Sequence, residues 1–246
     1  MKTVNEIAKD AVNESTLQPT QPLRLVAVSA GISVPSSTRL LTDRLAQAAE
    51  SAAAESGRTV KTELVELRNL ATDIAHAMVT GFAGPALAKV LDDVAAADGL
   101  IAVTPIFSGS YSGLFKSFFD VMDNTALIGK PVLIGATGGT PRHSLALEHA
   151  LRPLFAYLRA IVAPTGVYAA SQDWGTESDS HHGELAARIK RAGRELTGFM
   201  LCRPPADGRG TGVGAGVAGH GVAGEDDDFD TDEIVPFAQH LAALNP

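Results

Sequence analysis

The chain has 246 residues, 45% of them hydrophobic, which is enough to bury the core of one domain with some length to spare. Its formal net charge is −8, but seven of the 28 acidic residues lie between Glu225 and Glu233, so the rest of the chain is nearly neutral. No basic stripe marks a nucleic-acid surface, and no run approaches the ~18 apolar residues of a membrane span. With a single cysteine and no apolar leader after Met1, the sequence predicts a cytoplasmic protein that binds neither nucleic acid nor membrane.

Composition divides the chain into four predicted segments. Residues 1–21 are polar and lack periodicity, so we expect a flexible N-terminal arm. Residues 22–203 alternate between strand and helix patterns and form the predicted globular domain. Residues 204–233 form a predicted linker, glycine-rich first and then acidic, and residues 234–246 form a short apolar segment predicted to dock on this domain or on a sister subunit.

The domain begins with a strand and a long helix. The apolar run Leu23–Val28 predicts the first strand, and a helix is predicted from Ser36 to Ser56, where Gly57 ends it. The helical spacing predicts that the residues facing the core are Leu40, Leu41, Leu45, Ala48, Ala49 and Ala52.

The next elements lead to a buried central strand. Residues 59–67 predict a second strand that is less uniformly apolar, which indicates a place near a sheet edge. A long connection at residues 69–84 precedes a helix at residues 85–97. The third strand is the uninterrupted apolar run Leu100–Val103, closed by Pro105.

The second half of the domain repeats this alternation. The helix after the third strand carries Leu114, Phe115, Phe118, Phe119 and Met122 on one face. A fourth strand at residues 130–137 precedes a helix that carries Leu147, Leu151, Leu154, Phe155 and Leu158. A fifth strand at residues 160–170, a polar loop to residue 183 and a helix at residues 184–202 complete an α/β pattern of five parallel strands. Flavodoxin-like and dinucleotide-binding doubly wound folds both fit this count.

The loop after the first strand is rich in hydroxyl groups, and it includes Ser29, Gly31, Ser33, Ser36, Ser37 and Thr38. Hydroxyls and free backbone N–H groups at a helix N-terminus can bind a phosphate. An ordinary helix cap with a turn explains the same residues. The glycine spacing matches neither GxGxxG nor the P-loop pattern, which argues against a nucleoside triphosphate.

Two more loops of this kind follow the third and fourth strands. In the loop Pro105–Ser112, Gly109 permits close backbone approach, and Phe107 and Tyr111 either contact a flat ring or cap the core. The third loop, Thr137–Thr140, contains two adjacent glycines, which a plain tight turn also explains. The coincidence of three such loops at one sheet edge predicts a site for a planar, phosphate-bearing cofactor.

Three blocks of the sequence resemble the NADPH-dependent FMN reductases, and they read SVPSSTRLL, TPIFSGSYSGLFKSFFD and ATGGTPRHSLALEHALRPLFAYLRAIVAPTGVYAASQDWG. The resemblance implies a flavodoxin-like, doubly wound sheet of five parallel strands in the order 2-1-3-4-5. It implies that the FMN phosphate is held by Ser29, Ser36, Ser37 and Thr38. It implies that the ribityl chain and isoalloxazine are lined by Pro105, Ile106, Phe107, Ser108, Gly109, Ser110, Tyr111 and Ser112. It further implies that the polar edge of the ring contacts Thr137, Gly138, Gly139 and Thr140.

By the same resemblance, the chain is an NAD(P)H:flavin oxidoreductase that transfers hydride from NADPH or NADH to FMN. The cofactors carry this chemistry, so we expect no catalytic acid or base and no metal site. The family implies a homodimer or homotetramer, and the ending VPFAQHL resembles a subgroup that supplies reduced FMN to luciferase-like flavin monooxygenases. Many relatives carry an arginine near Gly31, whereas here Ala30 and Gly31 occupy that stretch and Arg39 lies just beyond, which predicts modest FMN affinity.

Other functions remain open on the sequence alone. The same scaffold with tightly held FMN would reduce a quinone, an azo dye or a metal oxyanion, and flavin that copurifies would favour that reading. A flavodoxin-type electron carrier would bind FMN without a nicotinamide site, although the nearly neutral body is untypical of such carriers. A third alternative is a binding module whose residues 204–246 recruit a monooxygenase.

Overall fold

The computed structural model describes residues 21–174 and 180–203, without the side chains of residues 180–183. The predicted N-terminal arm (apart from Gln21), the glycine-rich and acidic linker and the apolar C-terminal segment lie outside the described residues. The four-segment division of the chain therefore stays a prediction.

A parallel sheet forms the centre of the domain. Its strands in chain order are β1 (Leu23–Ser29), β2 (Val60–Glu66), β3 (Gly99–Phe107), the short β4 (Ser110–Tyr111), β5 (Pro131–Gly138), β6 (Ile161–Val162) and β7 (Val167–Ala170). The order across the sheet is β2-β1-β3-β5, with β6 and β7 both paired to the far side of β5. The predicted doubly wound sheet is confirmed, with β2 at one edge and the two halves of the fifth strand at the other.

Among the described residues, six α-helices connect and cover these strands, and they are α1 (Ser37–Glu55), α2 (Ala71–Thr80), α3 (Pro85–Ala96), α4 (Gly113–Asp120), α5 (Arg152–Tyr157) and α6 (Ser180–Cys202). A turn of π-helix, Leu147–Leu151, runs directly into α5. Within the described part of the chain, no helix taken alone is long and apolar enough to cross a membrane. Only the stretch Leu67–Thr80 with Pro85–Ala96, bent by 90°, meets those criteria as a pair.

The continuous apolar runs of β1, β3 and β5 result from burial on both faces of the sheet. Side chains of a strand alternate between its two faces, so neighbouring residues enter different cores. On β1, Val26 and Val28 belong to the core that also contains residues of α2, α3, α4 and α5, whereas Leu25 and Ala27 belong to the core that contains residues of α1 and α6. The β3 residues divide in the same way, and both cores are therefore built from the same strands.

Several predictions about loops and strands are wrong. The connection at residues 69–84 contains the helix α2, ended by Gly81 in the left-handed conformation. The loop after β3 is a short β-hairpin, because β4 pairs antiparallel with the end of β3. The predicted fifth strand is broken between β6 and β7, where Pro164 cannot donate to the ladder.

The polar groups of this break find partners from neighbouring elements. The Thr165 backbone N–H donates to the Glu195 carboxylate of α6 at 2.7 Å, and the Thr165 hydroxyl donates to the same group at 2.8 Å. The Arg152 guanidinium donates to the carbonyl oxygens of Ala163 and Pro164 at 3.2 and 3.1 Å. Helices on the sheet thus stabilise the strand where the ladder is interrupted.

The predicted inner face of α1 is correct except at Leu40, which is 42% exposed. Leu41, Leu45, Ala49 and Ala52 are buried, and Ala48 is half-buried against the same core. Leu40 lies about 100° around the helix from Leu41, on the side that carries polar residues in the following turns. Only one of two adjacent leucines can face the core at this spacing.

A buried lysine lies under the opposite edge of the sheet from the three loops. Lys130 is 1% exposed, and its Nζ donates to the carbonyl oxygens of Ala95 and Ala97 at 3.0 and 2.5 Å. These carbonyls lie at the C-terminal end of α3, where a cation is favoured. Burial, with a smaller contribution from Arg203, nevertheless lowers the pKa of Lys130 to about 8.

The burial of Lys130 is tested by comparing how the stability of wild type and of Lys130→Met depends on pH. Because the native pKa lies below the ordinary value of 10.5, the unfolded chain binds more protons between the two values, and stability rises with pH across that window. From about pH 7.5 to about pH 9.5, wild type should gain roughly 1–2 kcal/mol of unfolding free energy relative to Lys130→Met. Urea unfolding at several pH values measures the difference, and a difference that does not vary with pH would contradict the assignment.

Candidate functional site

The three hydroxyl- and glycine-rich loops meet at the carboxyl-terminal edge of the sheet. In the parallel register, Ser29 at the end of β1 lies beside Val103 of β3, and Pro105 of β3 lies beside Thr137 of β5. The loops after β1, β3 and β5 are therefore neighbours. The hydroxyls of Thr38 and Thr137 share a buried hydrogen bond of 2.7 Å, which joins the first loop to the third.

The hydroxyls of the first loop divide between structural and available groups. Ser36 caps α1, since its Oγ accepts from the backbone N–H of Arg39 at 3.2 Å, as the capping alternative predicts. Thr38 is buried and bonded to Thr137, whereas Ser37 is exposed at the first position of α1. Ser29 is 1% exposed, and its Oγ has no hydrogen-bond partner among the described residues. A buried hydroxyl of this kind fits a site whose ligand completes it.

The backbone of this loop passes close to its own cap. A Cβ on Gly31 would lie 2.1 Å from Ser36 Oγ, so the loop folds this tightly only with glycine at that position. The free N–H groups of the first turn of α1 lie at the same place, at the positive end of the helix dipole. The orphaned Ser29 hydroxyl, the close glycine and the helix N-terminus together suit the phosphate of FMN.

Two arginines lie near the first loop, and carboxylates bind both. Arg39 donates to Asp43 at 2.9 and 3.0 Å and to Glu66 at 2.6 Å. Arg68 donates to the other Glu66 oxygen at 2.6 Å and to the Ser33 carbonyl at 3.3 Å. The hydrogen bond from Arg39, followed by that from Arg68, lowers the pKa of Glu66. Arg68 thus holds the loop in place, and the charges of both arginines are largely compensated.

The second loop turns through a tight hairpin. Phe107 pairs with Ser110 and Ile106 pairs with Tyr111, which leaves Ser108 and Gly109 as the two turn residues. Both have positive φ, 48° and 83°, as a type I′ turn requires. This turn projects backbone groups and the Ser108 side chain beyond the sheet edge.

The two aromatic residues of this loop have different surroundings. The Tyr111 ring lies 5.9 Å from the Phe115 ring and packs on the core, so it takes the capping role that the sequence left open. The Phe107 ring is 49% exposed at the edge and is available to a ligand. Ser112 is buried, because its Oγ caps α4 and its backbone N–H donates to the Thr104 hydroxyl at 3.0 Å.

The third loop is held in place by Tyr168 of β7. The Tyr168 hydroxyl donates to the Thr140 carbonyl at 2.7 Å and lies 2.1 Å from the position that a Cβ on Gly138 would take. Burial, and then the charge of Asp173, raises the pKa of Tyr168, so its hydroxyl remains a donor. A Cβ on Gly139 would meet open space among the described residues. The close contact with Tyr168 therefore requires glycine at position 138, whereas Gly139 lies in a turn with room for a side chain.

A cleft of about 390 Å³ opens beside the second loop. Gly109 and Ser110 form one wall, and the segment that follows the third loop forms the other with Arg142, His143, Leu145, Ala146, His149 and Ala150. Among the described residues, no cluster of His, Cys, Asp or Glu suits a metal ion.

Sequence reasoning missed several residues of this region. Glu66, Arg68 and Tyr168 act through hydrogen bonds to residues 27 or more positions away, and strand patterns carry no signal for such contacts. The SG pair between Phe107 and Ser110 is a hairpin signal that the sequence does contain. His149 lies in an ordinary helical pattern, and only the π-turn and the cleft single it out.

The fold and the site define a flavodoxin-like α/β protein with an edge suited to a flavin mononucleotide. A family model described as NADPH-dependent FMN reductase matches residues 23–175. The chain therefore belongs to the NADPH-dependent FMN reductase family, a family of oxidoreductases whose cofactors are FMN and a nicotinamide dinucleotide. The predicted family, enzyme class and cofactors are confirmed.

Individual relatives agree with this assignment. FMN reductase (NADPH) of Pseudomonas aeruginosa is 42% identical over 157 residues, which are 63% of this chain and 81% of that protein. NADH-dependent FMN reductase SfnE of Pseudomonas putida is 40% identical over 172 residues, 70% of this chain and 89% of that protein. Each match spans about two thirds of this chain.

Solved structures share the fold. An oxidoreductase from Corynebacterium diphtheriae is 42% identical, with a TM-score of 0.71 over 73% of this chain and 97% of that one. A flavodoxin, WrbA-like protein from Agrobacterium tumefaciens is 15% identical, with a TM-score of 0.52 over 74% of this chain and 100% of that one. The second likeness concerns the fold alone, and it confirms the flavodoxin-like class.

The contact between Gly138 and Tyr168 generates a test with a matched control. Gly138→Ala should lower the free energy of unfolding by about 1–3 kcal/mol, because the new methyl overlaps the Tyr168 hydroxyl. Gly139→Ala should change it by less than about 1 kcal/mol, since no atom of the described residues lies within 4 Å of the added Cβ. Urea unfolding of both variants measures the comparison.

Tyr168→Phe and Gly138→Ala together form a double-mutant cycle. Alone, Tyr168→Phe should cost about 1 kcal/mol for the lost hydrogen bond to Thr140. Combined with Gly138→Ala it should cost clearly less than the two single changes together, because the overlapping hydroxyl is gone. Additive losses, or equal losses for the two alanine variants, would show that this contact does not determine the loop.

Proposed function

We propose that this NAD(P)H-dependent FMN reductase uses FMN as an exchangeable substrate and supplies the reduced flavin to a partner flavin monooxygenase, of the luciferase-like kind that the C-terminal resemblance implies. The observation that carries the proposal is the first loop, whose hydroxyls and backbone N–H groups suit a phosphate while both nearby arginines are bound to carboxylates. Such a site binds the phosphate through hydrogen bonds more than through net charge.

The proposal assigns roles to the residues at the sheet edge. Ser29, Ser37 and the N-terminus of α1 would hold the FMN phosphate, while Ser36 and Thr38 fix the loop around it. The loop Pro105–Ser112 would line the ribityl chain and the ring, and Thr137–Thr140 would contact the polar edge of the ring. When bound, FMN supplies the ring that accepts hydride from the nicotinamide. The chain itself binds and orients FMN and the nicotinamide, and it excludes water. No side-chain acid or base is required.

The ion pairs near the first loop favour an exchangeable flavin over a permanently bound one. Arg39 is tied to Asp43 and Glu66, and Arg68 is tied to Glu66 and Ser33, so neither guanidinium is free to form a bidentate pair with a phosphate. Weak charge complementarity favours faster dissociation of the reduced flavin. This supports release to a second enzyme rather than reduction of an acceptor at tightly held FMN.

The proposal also includes the oligomeric state of the protein and its location in the cell. We expect a homodimer or homotetramer in the cytoplasm, as the family resemblance implies. Exposed apolar side chains at the end of α2 support self-association, since Met78, Val79 and Phe82 are 53%, 88% and 78% exposed. Residues 204–246 would form the linker and docking segment that the sequence predicts.

The proposed function is tested by oxidation of NADPH and NADH on washed protein, with and without added FMN. Oxidation should be negligible without FMN and should saturate as FMN is added, because flavin is then a substrate. Adding a luciferase-like monooxygenase should couple this oxidation to oxygenation of its substrate.

The alternatives give other results. Protein that retains flavin through washing and oxidises nicotinamide only with a quinone, an azo dye or a metal oxyanion would contradict the supply role. FMN binding without any nicotinamide oxidation would instead indicate an electron carrier. Removal of residues 204–246 should leave FMN-dependent oxidation intact.

A further inference from the structure

We infer that the cleft between the β3–β4 hairpin and the segment Arg142–Ala150 binds phosphate groups of the nicotinamide dinucleotide. The inference rests on the proposed function and assigns its second substrate to a place. It names Arg142 as the principal contact, with His143 and His149 beside it.

The cleft is continuous with two of the three site loops. Gly109 and Ser110, which form its first wall, are the turn and first β4 residue of the loop after β3. The opposite wall starts at a turn of 3₁₀ helix, Pro141–His143, that follows Thr140 without a gap. A dinucleotide whose nicotinamide reaches the flavin loops therefore has this cleft as an adjoining surface.

The charges of the cleft have one sign. Arg142, His143 and His149 are exposed, and no carboxylate is among the residues that line the cleft in the described part of the chain. Glu148 is the one acid between Gly139 and Leu151, and Arg152 binds it through two hydrogen bonds of 2.6 and 2.9 Å. That carboxylate is therefore compensated from outside the cleft.

The arginines of the first loop have carboxylate partners, and this difference from the cleft indicates which phosphate the cleft binds. At the first loop, Asp43 and Glu66 compensate Arg39 and Arg68, and hydroxyls are the available donors. In the part of the chain that the structure describes, no carboxylate lines the cleft that holds Arg142. FMN carries one phosphate, which the first loop accommodates, whereas the dinucleotide carries a pyrophosphate and, in NADPH, a 2′-phosphate as well.

The shape of the cleft suits a nucleotide half. Its volume of about 390 Å³ lies within the range of small-molecule sites. Leu145, 63% exposed, and the partly covered Ala150 give it an apolar wall beside Arg142 and the two histidines. An apolar wall with an arginine at its side can contact a ribose or an adenine while the guanidinium binds a phosphate.

Arg142→Met tests the inference, with Arg194→Met as the matched control on α6, where the arginine is also exposed and pairs with Glu55 at 3.2 Å. For Arg142→Met, the KM for the dinucleotide should rise about ten-fold with kcat retained, because a phosphate contact is lost equally in ground and transition states. The FMN dissociation constant should not change. Arg194→Met should leave all three quantities unchanged.

Two measurements identify which phosphate of the dinucleotide Arg142 binds. A rise in KM for NADPH alone assigns Arg142 to the 2′-phosphate, and an equal rise for NADPH and NADH assigns it to the pyrophosphate. Isothermal titration of wild type and Arg142→Met with adenosine 2′,5′-bisphosphate and with NADH reports binding without turnover. Weaker binding of either probe by the variant supports the inference.

Failure of the inference is separate from failure of the proposed function. An unchanged KM for both dinucleotides, together with unchanged binding of both probes, would overturn the cleft assignment while FMN-dependent oxidation persists. Absence of oxidation by wild type would overturn the proposed function, and the titrations would then still decide whether the cleft binds a dinucleotide phosphate.

Discussion

Burial of the central strands on both faces constrains the whole domain. Because β1, β3 and β5 each contribute alternate side chains to two cores, helices must cover both faces, and the chain can expose its loops only at the two ends of the strands. β2, which follows β1 in the chain, lies on one side of the β1–β3 pair, and β5, the next parallel strand after β3, lies on the other side. The loops after β1 and β3 therefore diverge to opposite sides, and the crevice between them is where such sheets bind ligands.

Short hydrogen bonds convert this open edge into a defined site. The backbone N–H of Ala30 donates to the Val103 carbonyl at 2.9 Å, so the first loop begins paired with β3. The bond between Thr38 and Thr137 reaches past β3 and joins the outer two loops. Tyr168 fixes the third loop from the next strand. Each loop is thus positioned by a rigid element rather than by its own sequence, which favours pre-organised binding.

The sequence predicts what depends on local pattern. The apolar runs of β1, β3 and β5 predict central strands, and the mixed pattern of β2 predicts an edge, because burial acts directly on composition. The helix α2 was predictable as well, since Leu70, Ile74 and Ala77 recur at helical spacing before the left-handed Gly81. The predicted long connection overlooks this signal.

What the sequence does not predict depends on contacts between distant residues. The broken fifth strand is stable because Arg152 and Glu195 bind its free backbone groups, and neither residue is near it in the chain pattern. At the site, the hydroxyl-rich loop was visible as a candidate, but only the fold shows that Ser36 acts as a cap while Ser29 has no partner in the described part of the chain. Compensation of Arg39 by Glu66 likewise needs the pairing of β1 with β2.

The most direct test of this account is the FMN dissociation constant of Ser29→Ala, measured by flavin fluorescence alongside urea unfolding of the FMN-free protein. Ser56→Ala, at the far end of α1, serves as the control. FMN binding should weaken roughly five-fold for one lost hydrogen bond, with stability unchanged or slightly raised because the Ser29 hydroxyl has no partner to lose among the described residues. FMN affinity equal to that of wild type, with the fold intact, would contradict the assignment of the phosphate to the first loop.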